Sequence, residues 1–124
     1  MSDIPADLHY TSDHEWVRHN GSLLTIGITA YAAESLGDVV YVDHPAVGST
    51  VSAGAIVGEV ESTKSVGEIF APVAGTVSET NQAVVDDPEL INRDPYGEGW
   101  LFTVETNDQP ELLDADAYRA LIGE

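Results

Sequence analysis

The chain has 124 residues, 43% of them hydrophobic, with Lys+Arg 4 against Asp+Glu 22 and a formal net charge of -18. That is enough for one domain around one modest core, and it argues against disorder, while so acidic a surface repels phosphate backbones and anionic lipid heads. Cysteine is absent, which excludes a disulfide framework and a thiolate metal site, so any dithiol chemistry has to come from an attached group.

Two readings of the charge stand side by side. One is long-range attraction to a basic groove on a protein partner. The other is a salt-rich prokaryotic cytoplasm, a halophile's, where a short Debye length screens self-repulsion. The start, Met1-Ser2-Asp3-Ile4-Pro5-Ala6-Asp7, has neither an apolar h-region nor an Arg-rich amphipathic pattern, and no apolar run is long enough to span a bilayer. A cytoplasmic location follows as the expectation; a mitochondrial one requires a transit peptide already removed.

In chain order, residues 16–19 and 22–29 are strand-like, and Asn20-Gly21 between them is a two-residue hairpin signal. Thr29 is placed to cap a short helix ending at Leu36, with Gly37 as its left-handed terminator, and Val39-Val40-Tyr41-Val42 resumes a strand. Ala32, Ala33 and Leu36 are expected to seal one end of the core.

Pro45 to Val51 and Pro72 to Val77 echo each other weakly, each a Pro and Gly turn leading into a β-prone run. They predict two similar half-sheets packed face to face through Val51, Ile56, Val60, Ile69, Val73 and Val77. Residues 81–99 read as turn chemistry and 100–105 as a last strand. Asp114 is placed to cap a final helix through Ile122, with Ala115, Tyr118, Leu121 and Ile122 as its apolar stripe.

Between two β-prone runs, Ile56 to Val60 and Val66 to Val73, lies the polar tip Ser62-Thr63-Lys64-Ser65, and Lys64 is the only lysine in the chain. The tip has no Gly or Asn to supply positive φ, so a type I turn is expected. A single primary amine at the midpoint of a hairpin, between small hydroxyl residues, is open to a modifying enzyme.

No enzyme active site emerges: there is no nucleophile with an adjacent base and no Gly-rich phosphate loop. His9, His14 and His19 recur every five residues, matching neither a helix face nor a strand face, and His44 is remote, so no metal site is expected. A carrier needs none of these, because its cofactor performs the chemistry.

Glu61-Ser62-Thr63-Lys64-Ser65, followed by Ile69-Phe70-Ala71-Pro72-Val73-Ala74-Gly75-Thr76-Val77, resembles the lipoyl-lysine hairpin of the glycine cleavage system H proteins. Biotinyl carriers share the tip architecture but typically flank the lysine with methionines, where Thr63 and Ser65 stand here. The run Gly27 to Ala32 and then Leu36 to Val42 resembles the H proteins too and is absent from ordinary lipoyl domains. So do Tyr10 to Trp16, with its His14-Glu15-Trp16 triplet, Pro88 to Asn92 and Pro95 to Trp100. The resemblance covers nearly the whole chain from Tyr10 to Tyr118.

The resemblance implies a mainly β fold, a lipoyl/biotinyl-type barrel-sandwich hybrid with a short internal helix and a C-terminal helix. Residues 1–124 would form a single lipoyl-carrier domain, with the hairpin tip at 62–65 and the last helix at about 114–122. Lys64 would carry lipoate covalently. The aminomethyl group of glycine would pass from a pyridoxal-phosphate glycine decarboxylase to an aminomethyltransferase, and reducing equivalents would then pass to dihydrolipoyl dehydrogenase. A lipoate ligase or lipoyl synthase system would load the lysine. His14 and Glu15 would contact the loaded arm, and Glu61 and Glu68 would be read by the ligase or by partners. Two alternatives remain open at this point: a lipoyl relay protein that donates lipoate to other complexes, and an unmodified acidic interaction module.

Overall fold

The structure is a computed structural model describing residues 3–108 and 110–124. Hydrophobic alternation and turn residues divide it into short strands: β1 His9–Tyr10, β2 Glu15–Asn20, β3 Leu23–Ile28, β4 Val39–Asp43, β5 Thr50–Val51, β6 Ile56–Ser62, β7 Val66–Phe70, β8 Gly75–Thr80 and β9 Phe102–Glu105. Four short helices join them: α1 Ala30–Leu36, α2 Gln82–Asp86, α3 Leu90–Arg93 and α4 Ala115–Leu121. The strands form two antiparallel sheets, one of six in the order β1-β2-β3-β9-β8-β5 and one of three in the order β4-β6-β7.

Side chains from both sheets, among them Val51, Val60, Ile69, Val77, Ile26 and Val104, meet with Val73 of the β7–β8 connection in one buried cluster, the packed interior of a sandwich. Ala33 is buried in it and Ala32 and Leu36 pack on it, so α1 closes one end as expected. A second cluster, with Tyr10, Trp16, Ala115 and Tyr118, holds α4 against the outer strands of the larger sheet.

Several expectations are corrected. The sheets are not similar halves, because the β2–β3 hairpin and β1 extend one of them to six strands. The β2–β3 turn is Gly21-Ser22, one residue later than the sequence signal: Asn20 pairs with Leu23 and Gly21 alone takes positive φ, at 62°. Ile56 is 55% exposed, because a register irregularity between residues 56 and 58 breaks the alternation that would turn it inward. Residues 81–99 contain α2 and α3. Asn81 starts α2 by accepting from Ala83 N–H at 3.2 Å, a capping signal hidden among turn residues. In α4, Leu121 lies on the exposed side while Ala115 and Tyr118 are buried.

Candidate functional site

The β6–β7 hairpin carries Lys64 at its tip, and Ser62 shapes that tip. The Ser62 hydroxyl accepts from Lys64 N–H at 3.3 Å and from Ser65 N–H at 3.0 Å, and it donates to Ser65 C=O at 3.2 Å. No tip residue has positive φ, as its composition requires. Thr63 N–H donates to Asp38 C=O at 3.2 Å, which ties the tip to the segment that follows α1.

That segment is itself anchored. Thr29 caps α1 by accepting from Ala32 N–H, and Gly37 ends it with φ 85° and ψ -156°. This is the extended positive-φ region open to glycine rather than the left-handed helical one expected. Asn92 of α3 donates to Gly37 C=O and accepts from Val39 N–H, both at 2.9 Å. A Cβ at Gly37 would stand 3.3 Å from Lys64 Cε, so the bare glycine backbone is the floor over which the lysine stem lies. Lys64 is exposed, and among the described residues no ion pair involves it.

A cleft of about 330 Å³ opens beside this floor. Its apolar wall includes Ile28, Leu36 and Ile69, and its polar positions include Asp13, His14 and Glu68. Leu36 immediately precedes Gly37, so wall and floor are continuous. His14 and Glu68, separated in the chain by the β2–β3 hairpin, α1 and the three strands β4, β5 and β6, are thus brought to one cleft.

His14 adopts φ 68°, and its Nδ1 lies 2.9 Å from Tyr118 Oη. Burial pushes its imidazole down from the ordinary value, with the Asp13 carboxylate opposing. Glu15 points the other way and is absent from the cleft wall. It is 1% exposed and accepts from Thr11 Oγ1 and from Phe70 N–H, both at 2.9 Å. Burial pushes its carboxyl up to about 7, against the opposing pull of those two hydrogen bonds. Glu15 therefore fastens the entry segment to β7. Glu61 is half-buried on β6 between Tyr41 and Val66, away from the cleft lining.

Sequence reasoning overlooked Gly37 as the lysine floor, Asn92 as its clamp, Tyr31 in the cleft and the polar role of Tyr118. The Asx signal at Asn92 could have been noticed; its partners could not. His9 and His19 also meet, ring centroids 4.9 Å apart, because β1 pairs antiparallel with β2. Their spacing along the chain conceals this. No group of three metal-ligating side chains forms among the described residues.

Two antiparallel sheets packed as a barrel-sandwich, with a lone exposed lysine at a hairpin tip, define a class: a swinging-arm carrier domain of the lipoyl type. A flexible acyl arm ending in a sulfur ring suits the site. The amine is sterically open, and the adjoining cleft offers aliphatic walls to an apolar chain.

The glycine cleavage H-protein family profile matches residues 8–124. The chain is similar to the glycine cleavage system H protein of Thermobifida fusca, 58% identical over 119 residues and covering 95% of this chain and 94% of that one. The H protein of Clavibacter sepedonicus is 56% identical over 117 residues, 94% of this chain and 95% of its own. A crystal structure of a glycine cleavage system H protein from Mycobacterium marinum superposes with a TM-score of 0.92 at 48% identity, over 98% of this chain and all of the other. The chain belongs to the glycine cleavage H-protein family. Its members are the non-catalytic lipoyl carriers of the glycine cleavage system and work with that system's other components.

Proposed function

We propose that Lys64 is the residue of this chain that carries lipoate, in amide linkage through Nζ, and that residues 1–124 act as a single lipoyl-carrier domain presenting it. The observation that carries the reading is an exposed primary amine on a braced hairpin tip, its stem lying over Gly37, whose neighbour Leu36 lines an apolar cleft. When bound, lipoate would supply a disulfide that takes up the aminomethyl group of glycine and, once that group has been handed on, a dithiol that delivers reducing equivalents.

The chain's own residues do the rest. Ser62 and the Asp38 carbonyl hold the tip in one shape for the loading enzyme, a lipoate ligase or a lipoyl synthase system. Ile28, Leu36 and Ile69 keep water from a group drawn into the cleft, and Asp13 and Glu68 place negative charge beside it, which favours a cationic amine. Glu61 and Glu68 flank the tip as charges for the loading enzyme or partners to read. The net charge of -18 draws the carrier toward basic grooves on glycine decarboxylase, aminomethyltransferase and dihydrolipoyl dehydrogenase in turn. The work takes place in the cytoplasm; no helix among the described residues is long and apolar enough to cross a membrane.

Intact-mass measurement of the protein from its own host, followed by fragmentation, tests the assignment. One lipoyl group on Lys64 is expected. A biotinyl mass, or an unmodified chain from lipoate-replete cells, overturns it.

A further inference from the structure

The polar groups behind His14 form a directed chain that decides where the imidazole carries its proton. Thr29 Oγ1 accepts from Ala32 N–H at 3.1 Å and lies 2.8 Å from Tyr118 Oη, which lies 2.9 Å from His14 Nδ1. Thr29 and Tyr118 are both fully buried, so a hydroxyl proton left without an acceptor there keeps its full desolvation penalty and that arrangement is disfavoured. Among the described hydrogen bonds, the Thr29 proton has one acceptor, Tyr118 Oη, since Ala32 N–H is itself a donor. Tyr118 then gives its single proton to His14 Nδ1, and the ring's own proton sits on Nε2. The reverse direction, with His14 donating to Tyr118 and Tyr118 to Thr29, strands the buried Thr29 proton.

We infer that Tyr118, on the C-terminal helix, is a positioning residue that holds His14 as the Nε2–H tautomer and so gives the arm cleft one directed donor, suited to a carbonyl or sulfur acceptor on the arm.

Backbone geometry points the same way. His14 is the one non-glycine position with positive φ among the described residues, a conformation that persists only where its surroundings hold it. Its C=O accepts from Thr29 N–H at 3.0 Å, and its ring lies tilted on Tyr31 with centroids 5.1 Å apart. Tyr118 is fixed in turn by stacking on Tyr10, centroids 4.8 Å apart and planes 13° apart. Nδ1 is occupied by Tyr118, so Nε2, on the diverging edge of a ring that lines the cleft, is the nitrogen with a proton to offer.

The arm as acceptor rests on the proposed attachment to Lys64, and the first test does not require it. Long-range 1H–15N spectra of the histidine rings are recorded on unlipoylated protein at a pH where His14 is neutral, with His14→Asn to assign its signals. A single Nε2–H tautomer is expected, with an Nδ1 shift that marks an accepted hydrogen bond. In Tyr118→Phe, which keeps the stack on Tyr10, that Nδ1 shift should move to the free value and the Nδ1–H form should appear. An Nδ1–H tautomer in the parent protein overturns the inference, and so does an Nδ1 signal unmoved by Tyr118→Phe. If that variant does not fold, the parent spectrum alone decides. Lipoylation should then move the His14 Nε2 signal in the parent protein; no movement overturns the donor role while leaving the attachment site to mass measurement.

Discussion

The buried carboxyl of Glu15 makes the stability of this protein depend on pH in a direction opposite to that of a paired surface carboxylate. Burial raises its folded-state value from 4.5 to about 7. The folded state therefore holds a proton that the unfolded chain has released, throughout the window between those values. Stability contributed by this group is full at low pH and is lost as pH rises through about 7. Between pH 5.5 and 8.5 the loss amounts to ~2 kcal/mol, from a shift of about 2.5 units at 1.36 kcal/mol each, less the part lying below pH 5.5. Glu15→Gln isolates the effect from the many other carboxylates. Its amide oxygen can accept from Phe70 N–H, so that link is kept; Thr11 Oγ1 already accepts from the Asp13 and Glu15 N–H groups, so the Thr11 contact is altered, an offset that does not vary with pH. Urea unfolding of both proteins across that pH range, at one fixed salt concentration, gives two curves. The variant should gain ~2 kcal/mol on the parent as pH rises from 5.5 to 8.5. A stability difference that stays constant with pH would refute the reasoning.

Lys64→Arg should leave the melting temperature within about 2 °C, as is common for a substitution at an exposed side chain, yet abolish lipoylation in an intact-mass assay, because a guanidinium is not acylated. Gly37→Ala forces a side chain into a glycine-only backbone region and sets a methyl 3.3 Å from Lys64 Cε. It should cost ~1–3 kcal/mol in urea unfolding and lower the rate of lipoylation by a purified ligase. If the -18 charge reflects a salt-rich cytoplasm, the melting temperature should fall as salt is reduced from molar to millimolar; an unchanged value assigns the acidity to partner steering.

What the amino-acid order determined by itself is local or periodic. Alternating apolar residues marked β6, β7 and β8, Thr29 and Asp114 marked helix starts, and Gly37 marked a stop, because caps and pleats act over a few residues. A single lysine between serine and threonine on a hairpin needed no tertiary information to stand out, and the whole-chain resemblance to the H proteins was legible in linear motifs.

Only the tertiary structure decided what lies around that lysine. Gly37 and Asn92 are 55 residues apart along the chain, His14 and Tyr118 104 apart, and Glu15 and Phe70 55 apart. Their roles arise from backbone groups and hydroxyls meeting across sheets. Glu15 shows the gap most plainly: adjacent in sequence to His14, it faces the opposite way, because His14 takes a positive φ and β2 begins at the next residue. Hydrogen-bond partners and burial decide whether a carboxylate reads the arm or bolts two segments together, and neither is written in the order of residues.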